Sequence, residues 1–134
     1  MAHPLESDDH SGAISKPRSG SVDEAVTELI GLVEERGMKV FAIIDHSGEA
    51  RDHGLELRDT RVVVFGSPTA GTPVMEAAPL AALDLPLRVL VWDDNGQTTI
   101  SYTAPEVLAR RHRLSADLAE RLAGIGPLTD QLAT

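Results

Sequence analysis

Apolar residues recur every three or four positions from Val22 to Val33, the spacing that places them on one face of an α-helix. Ser21 and Glu24 have the arrangement of a capping box, in which a serine side chain and a glutamate side chain satisfy each other's backbone N–H groups. Gly37 follows the last apolar position, where glycine commonly ends a helix. This stretch therefore predicts an amphipathic helix from about residue 22 to 36.

Other segments carry β-strand patterns. Met38–Asp45 contains an uninterrupted apolar run, which predicts a central strand covered on both faces. Arg61–Gly66 has the same character, and Gly12–Arg18 alternates weakly. Two further strands, Leu87–Asp93 and Gln97–Thr103, flank Asn95-Gly96, the preferred pair for a two-residue hairpin turn.

Shorter helices are predicted between and after the strands. Ser47–His53 is compatible with one or two turns, and Thr72 followed by Pro73 has the form of an N-cap before the first helical residue. Thr103 and Glu106 resemble a second capping box. A final helix is expected after Ser115, with a break or kink at 124–127, where two glycines and a proline occur.

This order of elements predicts an α+β domain with a single mixed or mostly antiparallel sheet and helices packed largely on one face. Residues 1–10 are polar without periodicity and predict a disordered N-terminal tail. Residues 11–134 are expected to form a single domain, because no linker or internal repeat divides them.

Composition narrows the classes of protein. The chain has no cysteine, which excludes disulfides, thiolate nucleophiles and cysteine-ligated metals. Its net charge of −9 and a lone basic cluster without interleaved aromatic residues argue against nucleic acid as a partner. No apolar run approaches the roughly 18 residues of a membrane span, and the polar start of the chain does not resemble a signal peptide. We therefore expect a soluble, cytoplasmic protein without membrane association.

From about Lys39 to Leu114 the chain resembles a bacterial and archaeal family, the domain of unknown function 302. The resemblance rests on successive segments that together are specific: VFAIIDH at 40–46, GLEL at 54–57, VFGSP at 64–68, GTPVM at 71–75 and LDLPLRVLV at 83–91. Together with the first helix and the hairpin, it covers most of residues 11–134.

The resemblance implies a TATA-binding-protein-like α+β fold of the order β-α-β4-α with short extra helices. It also implies frequent association of two subunits, here a homodimer, and no established activity. The chain departs from the family where Ser67 replaces a common asparagine, which removes an amide that could cap or ligate.

His46 is the first candidate for chemistry, because it follows Asp45 at the end of a predicted strand. A carboxylate beside an imidazole can orient a general base or a metal ligand. Adjacent strand residues point to opposite faces, however, so Asp45 can instead cap the next turn through its backbone while His46 packs at the strand edge.

A metal or haem site is a second hypothesis. His46, Glu49 and His53 have the spacing i, i+3, i+7 that would put them on one face of a helix, as a nitrogen- and oxygen-ligand set. The alternative is a solvated turn in which the three residues occur together by chance.

The segment from Gly66 to Pro73 is the third candidate. Gly66 and Gly71 make it flexible, and a helix N-terminus at Thr72 would offer free N–H groups to an anion or a carbonyl. It matches neither a phosphate-binding loop nor a dinucleotide fingerprint, and an ordinary strand-to-helix connection is the alternative.

We therefore hypothesise a small-molecule-binding domain whose pocket is lined by His46, Gly66, Ser67, Gly71, Thr72 and Tyr102. Tyr102 can alternatively pack across the hairpin. A metal- or haem-binding protein using His46, and a homo-oligomeric interaction module, are the rival hypotheses. The sequence leaves the cofactor, the ligand and the existence of any catalysis open.

Overall fold

The computed structural model describes residues 11–133. Its strands are β1 (Ala13–Arg18), β2 (Lys39–Asp45), β3 (Thr60–Gly66), β4 (Leu87–Asp94) and β5 (Gln97–Thr103). Its α-helices are α1 (Val22–Glu35), α2 (His46–Asp52), α3 (Pro68–Ala77), α4 (Pro105–Arg111), α5 (Ala116–Glu120) and α6 (Ile125–Leu132). A short 3₁₀ helix, Pro79–Leu83, lies between α3 and β4.

The strands form one five-stranded sheet in the spatial order β1-β5-β4-β3-β2. Every neighbouring pair is antiparallel. Strands β2 to β5 follow one another as a meander, and β1 returns to pair with β5, so that Ile14 lies opposite Tyr102. The α+β class and the single, mostly antiparallel sheet predicted from the sequence are confirmed.

The main core lies between one face of the sheet and two helices, α1 and α6. Residues that alternate along the strands point to this face, because successive side chains of a strand leave opposite sides of the sheet. The fully buried members include Leu29 and Val33 of α1, Val63 and Phe65 of β3, Val89 and Val91 of β4, and Leu128 and Leu132 of α6. The position of these helices confirms that they pack largely on one face.

A smaller apolar cluster lies beside this core. Val74 of α3 and Ala81 of the 3₁₀ helix pack with Leu108 of α4 and Leu122, which follows α5. Leu87, at the start of β4, contacts both clusters. The short helices are thereby held against the end of the sheet where β3 finishes and β4 begins.

The predicted start of α1 is confirmed. The backbone N–H of Glu24 donates to Ser21 Oγ at 3.0 Å, and the backbone N–H of Ser21 donates to Glu24 Oε1 at 2.8 Å. These hydrogen bonds lower the pKa of Glu24 below its usual value, because they favour the ionised carboxylate. Gly37 adopts a φ of 73°, which ends the helix as expected.

The prediction that β2 is central and covered on both faces is wrong. β2 is an edge strand, paired only with β3 among the described strands. Phe41, Ile43 and Ile44 retain 44%, 48% and 38% of their accessible surface. A continuous apolar run is typical of a buried parallel strand, but here it lies in an edge strand with three exposed large apolar side chains. A β-bulge between Val40 and Ala42 interrupts its pairing with β3.

The predicted start of α3 is also wrong. The helix begins at Pro68 with Ser67 as its N-cap, whereas Thr72 and Pro73 lie inside it. The Thr72 hydroxyl donates to the carbonyl of Pro68 at 2.7 Å, a bond to the preceding turn. Two Ser/Thr-Pro pairs stand in this segment, and the first provides the cap. Most of the expected loop is therefore helical.

At the other end of the sheet the hairpin is confirmed, since Asn95 and Gly96 both have positive φ, 51° and 95°. The second capping box is wrong: Thr103 ends β5, and Ala104 precedes α4 without a side-chain cap. The helix expected after Ser115 is present, and Ser115 Oγ caps it by accepting a 3.3 Å hydrogen bond from the backbone N–H of Leu118.

The expected interruption near the C-terminus is present between α5 and α6. Gly126 and Pro127 nevertheless lie within the first turn of α6, where proline needs no intrahelical N–H bond. The predicted tail, residues 1–10, lies outside the described part of the chain.

Candidate functional site

The candidate site lies where β3 leaves the sheet and α3 begins. β3 ends at Gly66, and Ser67 Oγ accepts a 3.3 Å hydrogen bond from the backbone N–H of Ala70. Pro68 occupies the first helical position, where its missing N–H costs nothing. This cap-and-proline start turns the chain sharply and sets the first turns of α3 beside the β2 edge.

A cavity of about 300 Å³ opens between these turns, the β2 edge and the segment that precedes β4. Its walls are predominantly apolar, with Phe41 on one side and Met75 and Leu122 among the others. The complete lining comprises Phe41, Gly66, Ser67, Pro68, Ala70, Gly71, Thr72, Met75, Leu85, Pro86, Leu87, Arg121 and Leu122.

A second cavity of about 320 Å³ adjoins the first. The two share five lining residues, Gly66, Ser67, Ala70, Leu87 and Arg121. The second cavity extends towards the end of α1 and the start of α6, where Arg36, Met38 and Pro127 line it. The two cavities therefore adjoin, and Arg121 borders both of them.

The charge of this surface differs from that of the whole chain. Arg36 and Arg121 are the charged residues that line the two cavities, and no aspartate or glutamate lies among their lining residues. Arg36 Nη2 donates to the neutral Gln131 Oε1 at 2.8 Å. Within residues 11–133 neither arginine has a carboxylate within ion-pair distance. An acidic protein thus presents two uncompensated cations at this site.

Of the residues predicted to line a pocket, four come together here: Gly66, Ser67, Gly71 and Thr72. His46 does not join them. In the β2–β3 pairing Lys39 lies opposite Gly66 and Asp45 lies opposite Arg61, so His46 follows the far end of β2. At about 3.3 Å per residue this separates His46 from Gly66 by about 20 Å. The expectation that both reach one pocket is therefore wrong.

Asp45 caps α2, but through its side chain and not through its backbone as one alternative expected. Its Oδ1 accepts from the backbone N–H of Gly48 at 2.9 Å and from Ser47 Oγ at 2.9 Å. These bonds lower the pKa of the Asp45 carboxyl because they favour its ionised form. His46 is exposed at the first position of the helix.

The candidate metal ligands do not converge. α2 ends at Asp52, and His53 is its C-cap, with Nδ1 placed 2.9 Å from the carbonyl of Glu49. The helix is thus too short for positions 46, 49 and 53 to share one face. In the part of the chain that the structure describes, no group of three histidine, cysteine, aspartate or glutamate side chains is placed to hold a metal ion.

Tyr102 lies in the main core, away from both cavities. It is 6% exposed, and the ammonium of Lys16 lies 5.0 Å from the centre of its ring. Tyr102 is therefore a packing residue of the sheet, as the second interpretation of its sequence position expected, and it does not line the cavity.

A polar cluster that spacing did not reveal is centred on Asp84, which directly precedes the lining residue Leu85. Asp84 Oδ2 is 2.6 Å from His112 Nε2 and accepts from Arg111 Nη1 at 3.0 Å. Burial of the Asp84 carboxylate would raise its pKa, but the hydrogen bonds from His112 and Arg111 outweigh this effect and lower it. A separate cavity of about 190 Å³ adjoins Asp84 and Leu87.

Comparison with known proteins decides the family. The family model described as "Domain of unknown function DUF302" matches residues 14–128. The chain belongs to this family. The DUF302 match extends beyond the segments that carried the resemblance and includes β1 and the start of α6.

A solved structure supports the DUF302 fold. The crystal structure of an uncharacterized conserved DUF302 protein from Bacillus stearothermophilus superposes with a TM-score of 0.77. It covers 91% of this chain and 95% of that one, at 19% sequence identity. At this identity the likeness establishes the fold alone.

Three curated Brucella relatives are 34% identical over 135 residues, 97% of this chain. They include "Fluoride-specific ion channel FluC 1" of Brucella suis biovar 1 and "Fluoride-specific ion channel FluC 2" of Brucella melitensis biotype 1. The chain spans about half the length of these relatives, 53% and 50%. None of the helices within residues 11–133 has both the length and the apolar character needed to cross a bilayer.

Proposed function

We propose that this DUF302 domain binds a small, largely apolar molecule in the cavity beside the start of α3. The observation that supports this is the cavity itself, about 300 Å³ in volume, with apolar walls from four different parts of the chain. Ligand sites are typically concave, mostly apolar and provided with a few polar groups at fixed positions. Here the polar groups are Ser67, Thr72 and Arg121.

Gly71 offers a direct test of this proposal. It lines the cavity within α3, and a Cβ at this position would meet the Met75 side chain at an ordinary 3.8 Å. Gly71→Leu should therefore place a side chain into the cavity without backbone strain. Gly31→Leu is the matched control, because Gly31 is an exposed glycine of α1 where an added Cβ would have nothing within 4 Å.

Binding of 1-octanol, measured by isothermal titration calorimetry, is the readout. We expect Gly71→Leu to abolish binding and Gly31→Leu to retain it. Equal binding by both variants, or no binding by the natural protein, would contradict the proposal. Native mass spectrometry of freshly purified protein adds an independent observation, since a co-purifying molecule lost in Gly71→Leu would identify the natural ligand.

We also propose that the domain forms a homodimer through the β2 edge. Ile43 and Ile44 point to opposite faces of the sheet, yet both are exposed. Packing of two sheet faces would cover only one of them, whereas pairing along the edge covers both. An antiparallel pair of identical strands is two-fold symmetric, and it brings the Lys39 end of one β2 to the Asp45 end of the other. The edge charges are thus complementary.

Sedimentation velocity tests the homodimer at micromolar concentration. Ile43→Asp should convert a dimer into a monomer because it buries a carboxylate at the edge. Leu80→Asp is the control, since Leu80 is an exposed leucine of the 3₁₀ helix. A monomeric natural protein, or a dimer that survives Ile43→Asp, would show that the β2 edge is not an interface.

The Brucella relatives suggest one further role, which we propose as an accessory function towards a fluoride channel. It is supported only by their description as fluoride-specific ion channels and by the shared half of their length. Deletion of the gene from its native host should then increase growth inhibition by fluoride. Unchanged growth over a fluoride series would exclude this role.

A cytoplasmic location is proposed for the chain, supported by its lack of cysteine, which suits a reducing compartment. Cell fractionation with periplasmic and membrane markers tests it. A metal or haem at His46 is still a prediction of the sequence alone. Elemental analysis of untagged protein would detect a metal, and visible absorbance would detect haem. A stoichiometric amount of either would support the metal- or haem-binding hypothesis.

A further inference from the structure

We infer that the ligand is an amphiphilic anion, with its apolar body in the cavity beside α3 and its anionic group between Arg121 and Arg36. This inference rests on the proposed ligand-binding function and adds the chemical class of the ligand. A medium-chain carboxylate or an aromatic carboxylate with a short apolar body would have the required chemistry.

The two cavities provide the two environments that such a molecule needs. The first, bounded by Phe41, Met75 and Leu122, has walls that suit an apolar body. Arg121 borders both cavities, and the second cavity is also lined by Arg36. A molecule that lies along the residues shared by both cavities would therefore have its apolar part in the first cavity. Its head group would lie near the guanidinium groups of Arg121 and Arg36.

The charges of these arginines are not satisfied within the described chain. Among residues 11–133 Arg121 makes no side-chain hydrogen bond or ion pair, and Arg36 bonds only the neutral Gln131. Arg18, by contrast, pairs with Glu28 at 2.8 Å. Guanidinium groups bind carboxylates and phosphates with paired N–H donors. An anionic head group would supply the acceptor that the protein does not.

The absence of acidic side chains from the linings of these two cavities strengthens the inference. The chain has 21 aspartate and glutamate residues against 12 lysine and arginine residues. A surface drawn at random from this composition would carry more carboxylates than guanidinium groups. The only charged residues in the linings of these two cavities are instead arginines, so an anion that enters them meets no lining residue of like charge.

The test compares octanoate with 1-octanol, which have the same apolar chain and different head groups. We expect the natural protein to bind octanoate about fivefold to tenfold more tightly, a modest factor because Arg121 is exposed and its charge is screened. Arg121→Gln should remove this preference, so that the variant binds the two probes with equal affinity. Arg36→Gln should reduce it in part. Added sodium chloride should weaken the binding of octanoate but not the binding of 1-octanol.

Arg58→Gln is the matched control, since Arg58 is exposed and lines neither cavity, and the substitution changes the net charge by the same amount. If octanol binds as tightly as octanoate and Arg121→Gln has no effect on either, the inference is overturned while the proposed apolar site stands. An equal loss in Arg58→Gln would also overturn it, because the effect would then be one of net charge. If neither probe binds the natural protein, the proposed function fails and the inference fails with it.

Discussion

The imidazole of His112 lies 2.6 Å from the carboxylate of Asp84, and this contact joins the end of α4 to the segment between the 3₁₀ helix and β4. Arg111 donates to the same oxygen, Asp84 Oδ2, at 3.0 Å. The segment so held includes Leu85 and Pro86, which line the first cavity. The cluster therefore tethers to α4 the residue that directly precedes Leu85 and Pro86 of the cavity lining.

Asp84→Asn should destabilise the protein by about 1 kcal/mol at pH 7, a value discounted because the carboxylate is partly exposed. The pKa of Asp84 is lowered in the folded state, below the ordinary 3.8. The contribution of the Asp84 carboxylate to the free energy of unfolding is thus complete above pH 3.8 and is lost as the pH falls through the folded-state pKa. Urea unfolding at several pH values measures this, with Asp52→Asn, on an exposed aspartate of α2, as the control. A difference from the natural protein that does not shrink in acid would contradict it.

Lys16→Gln should destabilise the fold by about 1–2 kcal/mol, because its ammonium holds β1 to α6. Lys16 Nζ lies 2.7 Å from Asp130 Oδ1 and donates to Thr129 Oγ1 at 2.7 Å. Burial would lower the pKa of Lys16, but its contacts with Asp130 and Tyr102 outweigh burial and raise it above 10.5.

The Lys16 contribution is consequently complete below pH 10.5 and is lost as the pH rises through the folded-state pKa. Thermal unfolding from neutral to alkaline pH would show the difference between Lys16→Gln and the natural protein diminishing. Arg58→Gln, at an exposed residue that precedes β3, is the matched control for loss of one positive charge and should change stability little at any pH. Equal effects of the two substitutions would refute a specific role for Lys16.

Ser67→Ala should cost about 1 kcal/mol of stability, the typical loss for removal of an N-cap. Thr72→Ala should cost little, because Thr72 lies inside α3 and alanine has the higher helix propensity. Chemical denaturation of the two variants separates these expectations. The reverse order of stabilities would place the start of the helix at Thr72, as the Thr-Pro pattern predicts.

His46→Ala should leave both octanol binding and stability almost unchanged, with a stability difference within about 0.5 kcal/mol, as expected for an exposed residue. Calorimetric titration of His46→Ala and Gly71→Leu with 1-octanol compares their affinities. Loss of binding in His46→Ala would place this histidine at the site, in conflict with the strand register that separates it from Gly66.

The elements predicted well from the sequence are those in which local chemistry and tertiary structure agree. α1 has a complete capping box at Ser21 and Glu24, and its apolar residues all meet the same face of the sheet. The β4–β5 hairpin depends on Asn95 and Gly96, which supply two positive φ angles at little cost. In both cases a few neighbouring residues determine the conformation.

The position of β2 in the sheet could not be predicted, because an apolar run indicates a strand but not which strands it pairs with. Phe41, Ile43 and Ile44 would suit a central strand, and only the pairing of β1 with β5 leaves β2 at the edge. In that pairing Ser15 lies opposite Ser101, 86 positions away, and such a contact has no local signal in the sequence.

The same limit applies to the site. Gly66, Ser67, Gly71 and Thr72 lie close together in sequence, and the structure brings them to one cavity. Phe41 and Arg121 reach it from distant parts of the chain, and no spacing could have shown their approach. Met75 and Leu122 had local signals, one at helical spacing from Gly71 and the other on the apolar stripe after Ser115.

Contacts between β1 and α6 place both ends of the described chain at one side of the molecule. Arg18 Nη1 donates to the carbonyl of Leu132 at 3.1 Å, and Lys16 Nζ donates to that of Gly126 at 3.2 Å. A fluorescent protein, an affinity tag or a neighbouring domain joined directly to residue 11 or residue 133 would thus lie on the β1 side of the sheet, with three strands between β1 and β2. Such fusions can report on the domain while leaving the opposite margin and the hollow beside Phe41 unobstructed.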